Sequence, residues 1–405
     1  MVNRSILHVF SCGGYMFGRR VVAVALLALL LMPLTAPVAA EWEEDSWLSN
    51  IIGPERLALG DEFGCHGMPD IDISTNNSVI LQCRDYLTQR IEASKWGVEP
   101  LSFGLSSGNL TVTDASAISD AGFKLIDSFE EEINESPDGL SVIQYNGGSL
   151  EKNVGSTEQF DDAVASGVEL VNFFWIAREH DVVVRPDSEL INSIESTTAW
   201  FTTWGEHYSY QESYGNFSII DNGSGSWDVE FMPETGSGWS VPVTSEFISL
   251  DANVISVQGE SGPLDELTVD EPHLKEGWRQ EENSLFLTLA PAHRVSISFD
   301  RSNLVYLEQV ASPQFNGHDL AITVAGHHTS DLFDWSRRWD DSPMRFTWLV
   351  EPREVAGFSW LLPTIAVLLA LVAPVAIIWL VKNDRRAQQM VSVFDSLDEI
   401  KFGEE

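Results

Sequence analysis

The segment Phe358 to Val381 runs for twenty-four residues without a charged side chain. At about 1.5 Å per residue, a helix of that length exceeds the ~30 Å hydrocarbon core of a bilayer. Trp360 and Trp379 stand near its ends, where amphipathic rings favour the headgroup level, and Lys382, Arg385 and Arg386 follow at once. Pro363 and Pro374 would be costly in a soluble helix but are tolerated in a membrane helix. One transmembrane helix is therefore expected at 358–381. By the positive-inside rule, residues 382–405 form a short cytoplasmic tail and the rest of the chain lies outside the cell.

A second apolar run, Val21 to Ala40, follows Arg19-Arg20 and ends in Val38-Ala39-Ala40. Basic, apolar and small-residue parts in that order describe a secretory signal over 1–40. An uncleaved N-terminal anchor is the alternative, and Met16 is an alternative start. Either version puts the middle of the chain outside the cell.

The chain carries 61 acidic against 23 basic residues, a formal net charge of −38. Between residues 186 and 274 there is no Lys or Arg, against sixteen Asp and Glu. Such a surface repels phosphate backbones, so no nucleic-acid partner is expected. The charge reads as a solvated face suited to a salty medium. Calcium is the cation such carboxylates would take, but no D-x-[DN]-x-[DN]-G loop is present, and no cofactor is expected.

Cys65 and Cys83 are the only cysteines between the two apolar runs. An exported pair invites a disulfide. Ile80, Cys83, Leu87 and Ile91 fall on one face of a helix at 79–93, which turns Cys83 inward, towards the Gly64-Cys65-His66-Gly67 loop.

The fold class expected is an α+β ectodomain in two halves, 41–200 mixed α/β and 201–353 an antiparallel β-sandwich-like domain, followed by the single transmembrane helix. In the first half a second helix is expected from about 114 to 134. A third opens at the capping sequence Ser156-Thr157-Glu158-Gln159 and carries Phe160, Val164, Val168, Val171 and Trp175 on its apolar face. Strand-like pieces lie at 110–113, 140–145 and 181–185. From about residue 215 the apolar period becomes two, as in Val229/Phe231, Leu285/Leu287/Leu289, Val295/Ile297/Phe299, Ile322/Val324 and Phe346/Trp348/Val350. The acidic stretch 258–283 reads as a long connection between strands.

Chemistry-bearing motifs stand in weak contexts. Gly104-Leu105-Ser106-Ser107-Gly108 fits G-x-S-x-G, but a nucleophile elbow needs a following helix, and Asn109 to Thr113 reads as strand. Ser261 in Gly259-Glu260-Ser261-Gly262 lacks a matching histidine–aspartate order. His318, His327 and His328 have no zinc-ligand spacing, and adjacent strand residues face opposite ways. No catalytic, cofactor or metal residue is assigned. Trp200, Trp204, Tyr208, Tyr210 and Tyr214 form the densest aromatic stretch, a candidate surface for an extracellular protein or glycan. Trp335, Arg337, Arg338 and Trp339 are a candidate membrane-proximal contact, with the arginines on lipid phosphate and the tryptophans at the interface. The sequence thus suggests a membrane-anchored surface protein that binds a partner. The alternatives are a membrane-tethered hydrolase and an accessory subunit of a membrane complex.

Overall fold

The computed structural model describes residues 48–67, 71, 73–105, 110–128, 139–176, 187–213, 215–233, 238–249, 252–301, 306–328, 336–352 and 361–401. Residues 42–353 form one compact unit. The chain enters through α1 (Gly53–Leu59), closed by Gly60 in the left-handed region at φ 103°, and passes into β1 (Glu62–Cys65). There follow α2 (Ser78–Thr88), β2 (Ser102–Phe103), α3 (Val112–Asp120), β3 (Leu125–Ser128), β4 (Ser141–Gln144), β5 (Gly148–Ser149), α4 (Thr157–Ala165) and β6 (Leu170–Ile176). Next come α5 (Ser188–Glu195), β7 (Trp200–Phe201) and α6 (Trp204–Glu212).

These strands build a parallel sheet completed by two strands from far along the chain, β17 (Ala321–His328) and β18 (Phe346–Val350). The order is β4-β3-β2-β1-β18-β17-β6-β5, with β7 beside β17, and every pairing is parallel. The sheet curls into a half-barrel. Its edge strands β4 and β5 are separated only by Tyr145 to Gly147, and the Gly147 N–H donates to Asn172 O of β6 at 3.0 Å. Side chains alternate between the two faces. Phe63, Phe103, Ile126, Phe173, Trp175 and Val324 point outward into a core shared with α2 to α5. The inner face carries small or polar groups: Ser102, Asn172, Ala321, Thr323, Ala325 and Thr347, all buried. Their small volume admits Trp204, whose Nε1 donates to Asn172 Oδ1 at 2.9 Å while its backbone N–H donates to Thr347 Oγ1 at 2.9 Å.

Between α6 and β17 the chain leaves the parallel sheet and forms two antiparallel ones. The strands are β8 (Gly215–Gly223), β9 (Ser226–Pro233), β10 (Val243–Ser249), β11 (Val254–Gly259), β12 (Gly262–Pro263), β13 (Gly277–Glu281), β14 (Ser284–Leu289), β15 (Arg294–Phe299) and β16 (Leu307–Ala311). They pair as β13-β14-β10-β16 and as β12-β11-β15-β9-β8. Phe231, Phe247, Leu287 and Ile297 from both sheets share one core with Trp200, Trp204 and the inner face of the parallel sheet.

Several expectations are corrected. β17 and β18, from beyond residue 200, lie in the same sheet as β1 and β6. Ile322/Val324 and Phe346/Trp348 alternate as parallel strands, not antiparallel ones. The helix expected over 114–134 ends at Asp120. Gly122 at φ 96° turns the chain, and Leu125 begins β3. The helix opened by Ser156, whose side chain accepts from the Gln159 N–H, stops at Ala165, and Val171 and Trp175 belong to β6. In both cases a helical spacing spans a short helix and the strand that packs beside it, both contributing to one core. Residues 110–113, read as strand, contain the Thr111 cap and the first turn of α3. The 258–283 stretch contains β12 and β13 and buries Leu267 and Leu274. Residues 181–185 lie outside the described residues.

A further helix, α7 (Leu361–Lys401), contains a 24-residue span, Pro363–Arg386, long and apolar enough to cross a membrane.

Candidate active site

In parallel pairing all carboxyl ends lie on one edge of the sheet, and strand-end side chains gather there. β1 and β18 are in register, with Cys65 opposite Val350, so the residues that follow them, His66 and Glu351, emerge side by side. The His66 N–H donates to Val350 O at 2.9 Å, and His66 Nδ1 lies 2.7 Å from Glu351 Oε1. His327, on β17, sits opposite Leu349 of β18 and Ile176 of β6. Asp127 lies on β3 and Tyr145 directly follows β4. The Tyr145 hydroxyl is 2.8 Å from both Asp127 Oδ2 and His327 Nε2. Along the sheet, β4 and β17 are far apart, so only the curl of the half-barrel brings Tyr145 to His327. The imidazoles of His66 and His327 meet edge to face, 4.8 Å apart at 84°. All five side chains are buried.

The proton positions follow from the bonding. Burial pushes the Asp127 carboxyl up, opposed by the Leu105 N–H, which donates to Oδ1 at 2.6 Å, and by the Tyr145 hydroxyl. Burial, with the Asp127 charge next, holds the Tyr145 phenol well above its ordinary value, so it keeps its proton. A phenol that donates its one proton to Asp127 must accept from His327, which places a proton on His327 Nε2. His66 donates through Nδ1 to Glu351, leaving Nε2 as the basic nitrogen. Among the described residues His66 Nε2 makes no hydrogen bond, and His66 is 9% exposed. Gly104 makes room for this ring: a Cβ there would lie 2.8 Å from His66 Cδ2 and 2.6 Å from Leu349 Cδ1.

Glu151 stands at the same edge, beyond β5. Its Oε1 accepts the Ile176 N–H at 2.8 Å, next to His327 in register, while its buried Oε2 has no partner among the described residues. Burial raises its carboxyl above the usual range. Among the described residues no group of three His, Cys, Asp or Glu is arranged to hold a metal ion.

Cys65 and Cys83 form a disulfide, Cα atoms 6.1 Å apart, that ties the end of β1 to α2 immediately before His66. Gly104 and Leu105 follow β2, and α3 begins at Val112. The G-x-S-x-G stretch thus has the helix after it that the sequence reading denied, although Ser106 to Asn109 lie outside the described residues. Ser261 sits in the exposed β11–β12 turn. His318 is buried, its Nε2 2.8 Å from Glu271 O. His328 closes β17 beside His327.

Trp200 and Trp204 have no exposed surface and Tyr210 is buried, its hydroxyl donating to Pro313 O at 2.7 Å. These rings fill the core between the sheets. Tyr208 is half-buried, and Tyr214 lies outside the described residues. Trp339 is buried against Trp175 and Phe346. Arg337 and Arg338 are exposed, Arg337 pairing with Glu55 at 3.4 Å, while Trp335 lies outside the described residues.

The sequence reading did not single out His66, Asp127, Tyr145, Glu151 or Glu351 as chemistry. The signal present is positional: most are the first polar residue at the end of a short apolar strand. That signal has meaning only once the strands are known to be parallel. Neither a protein-family model, nor a curated protein, nor a solved structure matches this chain.

Proposed function

We propose that this protein is a membrane-anchored hydrolase whose chemistry is acid–base catalysis at the carboxyl edge of the parallel sheet. One observation carries the reading: five titratable side chains from five strands converge, buried, where half-barrel and barrel sheets place their reactive groups. Burying such groups lowers stability, and their retention at one edge supports a function there. In this reading His66 Nε2 takes a proton from the attacking group and Glu351 holds the imidazole in the required tautomer. The Asp127–Tyr145–His327 chain fixes the second imidazole beside the reacting atoms, and Glu151 is available as a proton donor.

The anchoring is part of the same proposal. Residues 1–40 act as export signal, α7 holds the protein in the lipid with 382–405 in the cytoplasm, and the acidic unit is displayed outside. The two antiparallel sheets close on one another as a sandwich beneath the half-barrel. No cofactor and no nucleic acid take part.

The test is turnover of ester, peptide and glycosidic substrates by the full chain in detergent. His66→Ala is expected to cost about 10²- to 10⁴-fold in kcat/KM, the usual worth of a general base. A broad panel without turnover, or turnover untouched by His66→Ala and Glu351→Gln, overturns the proposal. A second reading, binding of an extracellular protein or glycan, is favoured by Ile220, Met232 and Ile255, exposed on the five-stranded sheet. A pull-down and a glycan array distinguish it.

A further inference from the structure

An asparagine followed by any residue but proline, and then by serine or threonine, is the acceptor for an N-linked oligosaccharide in an exported chain. Such triplets begin at Asn76, Asn109, Asn134, Asn216 and Asn222. Asn109 and Asn134 lie outside the described residues. The fold separates the other three. Asn216 stands inside β8, in register with Met232 of β9, and the hydroxyl of its triplet belongs to the half-buried Ser218. Asn76 lies just before α2, and both it and Ser78 are exposed. Asn222 falls where the β8–β9 register shifts between Asp221 and Gly223, so it faces no residue of β9, and both it and Ser224 are exposed.

A glycan is larger than the residue that carries it, so the folded chain must leave it room. The tip beyond Asn222 is tight: Gly223, Ser224 and Gly225 follow one another in the left-handed region at φ 77°, 59° and 76°. It is also unobstructed, since a Cβ added to Gly223 would meet no heavy atom within 4 Å. The Gly223 N–H donates to Asp221 Oδ1 at 2.7 Å, so the tip is held by its own residues. The Asn222 amide donates to the Asp228 carboxylate, which also accepts from Ser296 and Arg294. A primary amide has two N–H groups, and one remains after a sugar replaces the other, so this bond is kept. At Asn76 the fold uses the amide oxygen, which accepts the Ser78 N–H at 3.1 Å and the Ser78 hydroxyl at 2.8 Å. The Asn76 amide nitrogen, the atom a sugar would be joined to, makes no hydrogen bond among the described residues.

We propose that Asn76 and Asn222 carry N-linked oligosaccharides. The donor is an oligosaccharide joined through phosphate to a polyisoprenoid lipid, and a transferase outside this chain catalyses the step. The amide nitrogen attacks the anomeric carbon and a carbon–nitrogen bond forms. The anomeric carbon–oxygen bond breaks, its electron pair leaves with the lipid phosphate, and the nitrogen gives one proton to a base of the transferase. The inference rests on the export included in the proposed function. It does not rest on the hydrolytic chemistry, because neither triplet belongs to the carboxyl edge of the sheet.

The test is glycopeptide mass spectrometry of the full chain, taken in detergent from the membranes of the cells that make it, alongside protease treatment of those cells intact. Peptides holding Asn76 and Asn222 are expected at the mass of the bare peptide plus an oligosaccharide. Ser78→Ala and Ser224→Ala are each expected to abolish the addition at their own triplet while leaving its asparagine in place. The wild-type peptides decide alone if either variant does not fold. Bare Asn76 and Asn222 in a chain digested from outside overturn the inference and leave the export standing. Bare residues in a chain protected from outside protease overturn both. An addition that survives the serine substitutions is a different modification and also overturns the inference.

Discussion

The two edges of the parallel sheet both bury charge, and they treat it differently. At the amino edge Asp61, Glu62 and Glu206 are 3% exposed or less. Asp61 accepts Arg56 Nε at 2.6 Å, the Phe346 N–H at 3.0 Å and Trp348 Nε1 at 2.7 Å. Glu62 accepts Ser102 Oγ, the Gly205 N–H at the start of α6, and Thr347 Oγ1. Each carboxylate is saturated and joins elements distant in sequence, which is what a structural network requires. At the carboxyl edge the side chains also pair with one another, yet His66 Nε2 and Glu151 Oε2 keep unused bonding capacity. Saturation marks the joint that holds the fold, and the unused capacity is what the proposed catalytic reading rests on.

The largest expected effect tests the saturated edge. Asp61→Ala leaves the Arg56 guanidinium buried without its main partner and is expected to cost about 3–5 kcal/mol in chemical unfolding. Glu351→Gln at the other edge keeps the fold and is expected to cost about 1 kcal/mol. Equal losses from the two substitutions would erase the contrast. Next in size is the disulfide. Cys65→Ala/Cys83→Ala opens an 18-residue closure and is expected to lower stability by about 3 kcal/mol. Intact stability in the double variant would show that β1 is held by the sheet alone.

A smaller effect is expected from pH. His207, its ring tilted at 34° to that of Trp200, is held at about 4 by burial, and its Nε2 has no partner among the described residues. Its folded value lies below the unfolded one of about 6.5. The unfolded chain therefore binds the proton first, and the stability His207 allows above pH 6.5 is lost as pH falls towards 4. His207→Phe should flatten that part of the melting-temperature profile. An unchanged slope would place the acid sensitivity elsewhere. The smallest effect belongs to the surface. Arg337→Glu/Arg338→Glu is expected to move stability by less than about 0.5 kcal/mol. If these arginines touch headgroups, binding of the unit to anionic vesicles falls; equal binding removes that role.

The sequence alone determined what depends on local composition and period. The apolar span of α7 is legible because a bilayer demands length and the absence of charge, whatever surrounds it. The Cys65–Cys83 pair followed from the inward face of one helix. The alternating strands from Val229 to Phe299 were legible because a strand with one face in the core carries a two-residue apolar period whatever its partner. The tertiary structure decided the rest. Leu125 and Val171 continue a helical period in the chain but lie in strands, because the turns at Gly122 and Gly167 redirect them into the sheet. β17 and β18 return across more than 150 and more than 280 residues to pair with β6 and β1, and no local pattern records a partner that distant. Trp200 and Trp204 read as core filling or as a binding surface until the inner face of the sheet proves to carry small residues that leave space for them. The candidate site depends on that geometry most of all: His66, Asp127, Tyr145, His327 and Glu351 meet only because parallel strands place their ends together and the sheet curls.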